Sequence, residues 1–84
     1  MNLEALATAA RKVVGVKQTG KALQRKQAIT VFLADDADAS LTDPIRTECG
    51  NQGIEVVSCE TMQALGKACG IHAGASAAAI LKAG

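Results

Sequence analysis

The sequence predicts an α/β fold: a three-layer α/β/α sandwich around a four-stranded mixed sheet, in a single domain over residues 1–84. Three observations lead there. The spacing of apolar residues switches repeatedly between the helical and the strand period, and each switch falls at a turn signal. The run from Ile29 to Ala34 is β-branched and almost wholly apolar, as suits a strand covered on both faces. The 84 residues include 17 alanines but one aromatic, Phe32, so the core is built from Val, Ile, Leu and Ala in closely packed layers.

Taken in order, Leu3, Leu6, Ala7 and Ala10 follow helical spacing and predict a first helix over about residues 2–11. Val13 and Val14, stopped by Gly15, form a very short strand. Lys17 to Lys26 is helical in content, although Gly20 inside it costs about 1 kcal/mol against alanine. Either something approaches the backbone there or tight packing demands it. Ile29 to Ala34 is the central strand. Thr42 or Asp43 caps a third helix whose first turn tolerates Pro44 and which ends near Gln52, where Gly53 supplies a left-handed stop. Ile54 to Val57 is a short strand, and Ser58 or Glu60 opens a helix through Met62, Leu65 and Ala68 that Gly70 closes. The last stretch, Ala75 to Leu81, suits a helix by its alanines and a strand by its place in the alternation. Strand is the choice that completes the sheet.

The formal charge of +1 conceals a segregation. Residues 11–26 contain Arg11, Lys12, Lys17, Lys21, Arg25 and Lys26 without an acid, whereas residues 35–60 contain seven acids against Arg46 alone. A patch of one sign attracts polyanions, and an acidic opposite side would limit indiscriminate sticking. A solvated helix face accounts for the same basic run equally well.

Several function classes are weakly supported. Cys49, Cys59 and Cys69 include no C-x-x-C pair, and His72 is the sole histidine, which is poor arithmetic for zinc. Three reduced thiols serving as small apolar side chains are expected, with no metal and no cofactor. No run approaches the roughly 18–20 apolar residues of a membrane span, and the start does not read as a signal peptide, so a cytoplasmic protein without membrane contact is expected. Gly15 to Lys21 fits the G-x-x-x-x-G-K frame of a phosphate-binding loop, but Ala22 stands where a hydroxyl must hold the metal. Asp35, Asp36 and Asp38 suit a solvated or capping turn better than an acid/base pair. No enzyme emerges.

The same basic residues suit RNA. Lys17, Lys21 and Arg25 are spaced four apart with Gln18 on the adjoining shoulder, and the N–H groups of a helix start add partial positive charge. Lysines and amides fit phosphates and the O6 and N7 edges of guanine. Regular A-form RNA hides those edges in a deep groove, so the target is a distorted duplex. An aromatic stacking platform is excluded by composition.

Three separated stretches, Gly15-Val16-Lys17-Gln18-Thr19-Gly20-Lys21-Ala22-Leu23, the strand Ile29 to Ala34 with Asp35-Asp36-Ala37-Asp38, and Leu65-Gly66-Lys67-Ala68-Cys69-Gly70-Ile71, closely resemble the ribosomal protein L7Ae family. The resemblance covers nearly the whole chain and is nearest to the short bacterial ribosome-associated branch. It implies an α/β/α sandwich that binds kink-turns, where a short bulge bends an RNA helix beside tandem sheared G·A pairs. Carried onto this chain, it gives Gly15 the tight turn into the helix, and Lys17, Gln18 and Lys21 the guanine edges. Arg25 extends the basic face. Ile71, His72 and Ala73 form the second contact, on the bulged nucleotides, and Lys67 reaches the backbone. Archaeal and eukaryotic relatives usually have Asn-Glu where this chain has Lys17-Gln18. Relatives commonly place an acid at His72 and a larger apolar residue at Ala73.

The expected function is therefore a non-enzymatic, kink-turn-binding protein acting as a monomer on ribosomal or structured leader RNA, with the ribosome as a further partner. The rivals are a protein-interaction module that kept the fold without the RNA site, and a small nucleotide-binding domain.

Overall fold

In the computed structural model, which describes residues 3–83, helices and strands alternate throughout. They are α1 (Leu3–Thr8), β1 (Lys12–Val14), α2 (Val16–Gln24), β2 (Ala28–Ala34), α3 (Ala39–Gln52), β3 (Glu55–Cys59), α4 (Met62–Ala68) and β4 (Ala77–Leu81). The strands form one mixed sheet in the order β1-β4-β2-β3. β4 is antiparallel to both β1 and β2, and β3 is parallel to β2.

The two central strands hold the residues that are buried from both sides. Ala77, Ala78 and Ala79 of β4 and Val31, Phe32 and Leu33 of β2 have no exposed surface. Alternation along each strand divides these residues between two cores. Val31, Leu33, Ala77 and Ala79 cluster with Ala22 and Leu23 of α2 and with Ile45 and Cys49 of α3. Phe32, Ala34 and Ala78 cluster with Leu6 of α1 and with Leu65 and Cys69 at α4. The three expected layers result, with α2 and α3 on one face and α1 and α4 on the other. The alanine run of β4 is a strand because it lies between two backbone partners that satisfy its N–H and C=O groups, an arrangement that outweighs alanine's preference for helix.

Several boundaries move, each for a local reason. α1 ends at Thr8 rather than near residue 11, and the ammonium of Lys12 donates to the carbonyls of Leu6 and Ala7 at its end, 3.1 Å each. Its expected start at residue 2 lies outside the described residues. β1 is one residue longer than expected, beginning at Lys12. α2 begins at Val16 and ends at Gln24 rather than Lys26, whose φ of 55° turns the chain out of the helix. α3 is capped by Asp38, not by Thr42 or Asp43: the Asp38 carboxylate accepts from the Ser40 N–H and hydroxyl, both at 2.9 Å. Pro44 therefore lies inside α3, on its exposed side, and not in the first turn. β3 runs on to Cys59, so α4 opens from Thr61, whose hydroxyl oxygen accepts from the Ala64 N–H at 3.0 Å, and not from Ser58 or Glu60. β4 starts at Ala77 rather than Ala75. Gly53 and Gly70 take the left-handed φ values expected of helix stops, 68° and 81°.

β2 starts at Ala28, and Ile29 is not covered on both faces. Ala28 opposes Leu81 and Thr30 opposes Ile80, so Ile29 is the additional residue of a β-bulge and is 43% exposed. The three cysteines are free and buried, and burial pushes each thiol above its ordinary range. They pack as small apolar side chains. No helix among the described residues is long and apolar enough to cross a membrane.

Candidate nucleic-acid interface

Strand directions decide which loops meet. β1 and β2 both oppose β4, and β3 follows β2, so β1, β2 and β3 end where β4 begins. Gly15, the loop 35–38, the corner 60–61 and the segment 70–76 consequently gather at one end of the sheet. Open α/β sheets bind ligands at the carboxyl ends of their strands.

The first part of the site is the start of α2. Gly15 has φ 103° and ψ 154°, a backbone conformation that L side chains rarely adopt, and it turns the chain from β1 directly into the helix. Its N–H donates to the Ala77 carbonyl at 2.8 Å and its own carbonyl accepts from the Thr19 N–H at 2.9 Å. Thr19, Ala22 and Leu23 are buried against the sheet, which leaves Lys17, Gln18 and Lys21 exposed on the outer side of the helix. N–H groups of the first turn lack intrahelical acceptors and give this end its partial positive charge.

The second part is the segment between α4 and β4. Ile71 is 39% exposed, and His72 and Ala73 beside it are exposed. Gln63, Lys67, Gly70, Ile71 and His72 line a shallow depression of about 430 Å³. The segment is seated on α4: the Ile71 N–H donates to the Gly66 carbonyl at 3.1 Å and the Ala75 N–H to the Met62 carbonyl at 3.0 Å. Gly66 is buried, and a Cβ there would collide with the Ala73 carbonyl oxygen.

These two parts share an edge, joined where the Gly15 N–H meets the Ala77 carbonyl just beyond the loop. The structure thus brings Gly15, Lys17, Gln18 and Lys21 to the end of the sheet that also carries Lys67, Ile71, His72 and Ala73. Arg25 is the exception. It follows the last residue of α2, about 13 Å along the axis from its start, near the end of the sheet where β2 begins. Gln63, Gly66 and Asp36 also belong to the site's framework. Residue type and spacing carry no signal for Gln63 or Asp36, whereas a glycine inside a helix, as at Gly20, is one for Gly66.

Charge is arranged differently from the expectation of a basic and an opposing acidic side. Asp35, Asp36 and Asp38 occupy the same end of the sheet as Gly15, where Asp36 Oδ1 accepts from the Met62 N–H at 2.7 Å and Asp38 caps α3. Hydrogen bonds from the Ser40 N–H and hydroxyl hold the Asp38 carboxyl below its usual range. Arg11 donates to the Lys82 carbonyl at 2.9 Å and Lys12 closes α1, so neither extends a basic face around α2.

The phosphate-loop frame is also answered by geometry: Val16 to Gly20 is helix, so nothing wraps a nucleotide phosphate between the two glycines. No Cβ at Gly20 would meet an atom within 4 Å, so internal packing does not require that glycine.

The sequence pattern of the ribosomal protein L7Ae/L30e/S12e/Gadd45 family matches residues 2–84. An RNA-binding protein of Geobacillus sp. (strain WCH70) is 39% identical over 82 residues, 98% of this chain and 100% of that one. The large ribosomal subunit protein eL8 of Halobacterium salinarum is 38% identical over 71 residues, 83% of this chain and 59% of its own length. Among solved structures, the 15.5kD RNA binding protein of Giardia lamblia superposes with a TM-score of 0.85 at 26% identity, covering 96% of this chain and 68% of that one.

Proposed function

The chain belongs to the ribosomal protein L7Ae/L30e/S12e/Gadd45 family, whose matched relatives are RNA-binding and ribosomal proteins and not enzymes, and from that premise we propose that it recognises kink-turns in ribosomal or structured leader RNA. Lys17, Gln18 and Lys21 read the guanine edges of the G·A pairs, and Ile71, His72 and Ala73 hold the bulged nucleotides. Lys67 contacts the backbone. The supporting observation is the shared edge: the hydrogen bond from Gly15 to Ala77 puts a cationic helix start beside a half-apolar loop, the pairing that a bent duplex with splayed nucleotides presents. Phe32 is buried, so readout proceeds through lysines, an amide and an aliphatic contact rather than through base stacking on an aromatic ring. The protein acts as a monomer in the bacterial cytoplasm, on the ribosome or on free transcripts.

Labelled kink-turn RNA should bind far better than a control whose G·A pairs are converted to Watson–Crick pairs. Affinity should fall steeply with salt as phosphate neutralisation releases counterions. Equal affinity for both RNAs would reject the reading in favour of a protein-interaction module.

A further inference from the structure

An acidic side chain at an RNA-facing end needs a reason, and so does a glycine buried in a helix. The structure gives both the same one. Asp36 leaves the end of β2 and reaches across to α4, where its carboxylate accepts the Met62 N–H at 2.7 Å. Thr61 satisfies the Ala64 N–H beside it, so the start of α4 is fixed from two directions, by its own cap and by a residue 26 positions earlier. Met62 in turn holds the loop. Its carbonyl accepts the Ala75 N–H at 3.0 Å, its sulfur accepts the Ser76 hydroxyl at 3.5 Å, and its Cβ would lie 3.1 Å from a Cβ placed on Gly74. One turn further along α4, the Ala73 carbonyl occupies the space where a side chain on Gly66 would begin, and the Gly66 carbonyl accepts the Ile71 N–H.

Ile71, His72 and Ala73 therefore have no scaffold of their own. Their position is copied from α4, which Leu65 and Cys69 anchor in the core and whose start Thr61 and Asp36 fix.

We propose that Asp36 and Gly66 are positioning residues for recognition of the bulged nucleotides: Asp36 fixes the start of α4, Gly66 receives the Ala73 carbonyl, and together they set where Ile71, His72 and Ala73 stand relative to α2. The inference rests on the kink-turn reading and adds to it two residues that touch no RNA. The Asp36 carboxylate repels phosphate at this end of the molecule, and its hydrogen bond to α4 offsets that by ordering the loop. Any side chain at Gly66 pushes the Ala73 carbonyl outward and displaces the loop against α2, which is held by a separate hydrogen bond.

The test uses three RNAs: an intact kink-turn, one with abasic bulge nucleotides, and one with Watson–Crick pairs replacing G·A. Affinity for the first over the second reports on the loop, and affinity for the first over the third reports on α2. Gly66→Ala should reduce the loop ratio roughly tenfold, the size of one lost base contact, and leave the α2 ratio within about twofold. Asp36→Ala should lower the loop ratio in the same direction, whereas Asp36→Asn, which keeps an acceptor oxygen, should restore it. Wild-type loop ratios in all three variants would overturn the proposal, as would equal losses in Asp36→Ala and Asp36→Asn. Parallel loss of both ratios would assign the residues to general stability instead. If Gly66→Ala does not fold, the two Asp36 variants still decide. A wild-type protein that fails to prefer the intact kink-turn rejects the functional reading itself, a result separable from any of these.

Discussion

The start of α2 and the loop before β4 sit on the same edge, yet they are built in opposite ways. At α2 most of the geometry follows from neighbours in sequence: a positive-φ glycine turns the chain, helical spacing buries Thr19, Ala22 and Leu23, and Lys17, Gln18 and Lys21 are left outside, with the bond from the Gly15 N–H to Ala77 tying the helix start to the sheet. The loop around Ile71 has no such periodicity. Its shape comes from Met62 and Gly66 on α4, and through Asp36 from the end of β2. A site can join a half shaped mostly by local sequence to a borrowed half that inherits disturbances from distant residues.

The contrast can be broken most forcefully from the core. Phe32 and Leu65 lie under the α4 side, whereas Leu23 and Val31 lie under the α2 side. Phe32→Ala should cost about 3–5 kcal/mol in urea unfolding, a large share of the roughly 5–15 kcal/mol that holds a domain together. Amide exchange should rise more in α4 and residues 70–76 than in α2, and a uniform rise would show that the two halves are not independent.

Next in size is the α2 side by itself. Lys21→Ala should weaken kink-turn binding by about 1–3 kcal/mol and erode discrimination for the G·A pairs, while Lys82→Ala, at the other end of the sheet, should change little. Equal effects on every RNA from both variants would reduce the site to a basic patch.

A smaller effect sharpens the role of Gly20. A methyl group there meets no atom, so Gly20→Ala should stabilise α2 by about 0.5–1 kcal/mol, raising the melting temperature. A fall in melting temperature would mean that the helix cannot accept the methyl. A rise accompanied by weaker RNA binding would identify the open space as a place of close approach.

The smallest concerns Asp38. Its pKa is lowered in the folded state, so the stability it contributes is present above the unfolded value near 3.8 and is lost as pH falls through the folded value. The difference in unfolding free energy between the wild type and Asp38→Ala should shrink in acid below that range. A gap independent of pH would assign the cap to geometry rather than charge.

How far the sequence carried depends on the range of the interaction. Element order, the α/β class and the central strand were legible because period and turn residues act over a few positions. Boundaries slipped where a nearby side chain that apolar period and turn residues do not single out decided them: Lys12 closing α1, Asp38 rather than Thr42 starting α3, Thr61 rather than Glu60 starting α4. The basic helix start was readable, but the placement of Asp35, Asp36 and Asp38 on the same end was not, since charge counted along a chain says nothing about which loops a sheet gathers. Ile29 looked like core, and only the bulge opposite Ile80 and Leu81 exposes it.

By itself, the sequence determined the alternation of helices and strands, the turn at Gly15 and the outward side of α2, because backbone sterics and helical period are local. Tertiary structure alone decided that β4 lies between β1 and β2, that Gly15 reaches Ala77, and that Asp36 and Gly66 govern a loop they do not belong to. Hydrogen bonds and close contacts between distant segments exist only once the sheet has assembled, and no local pattern encodes which carbonyl will fill the space left by a missing side chain.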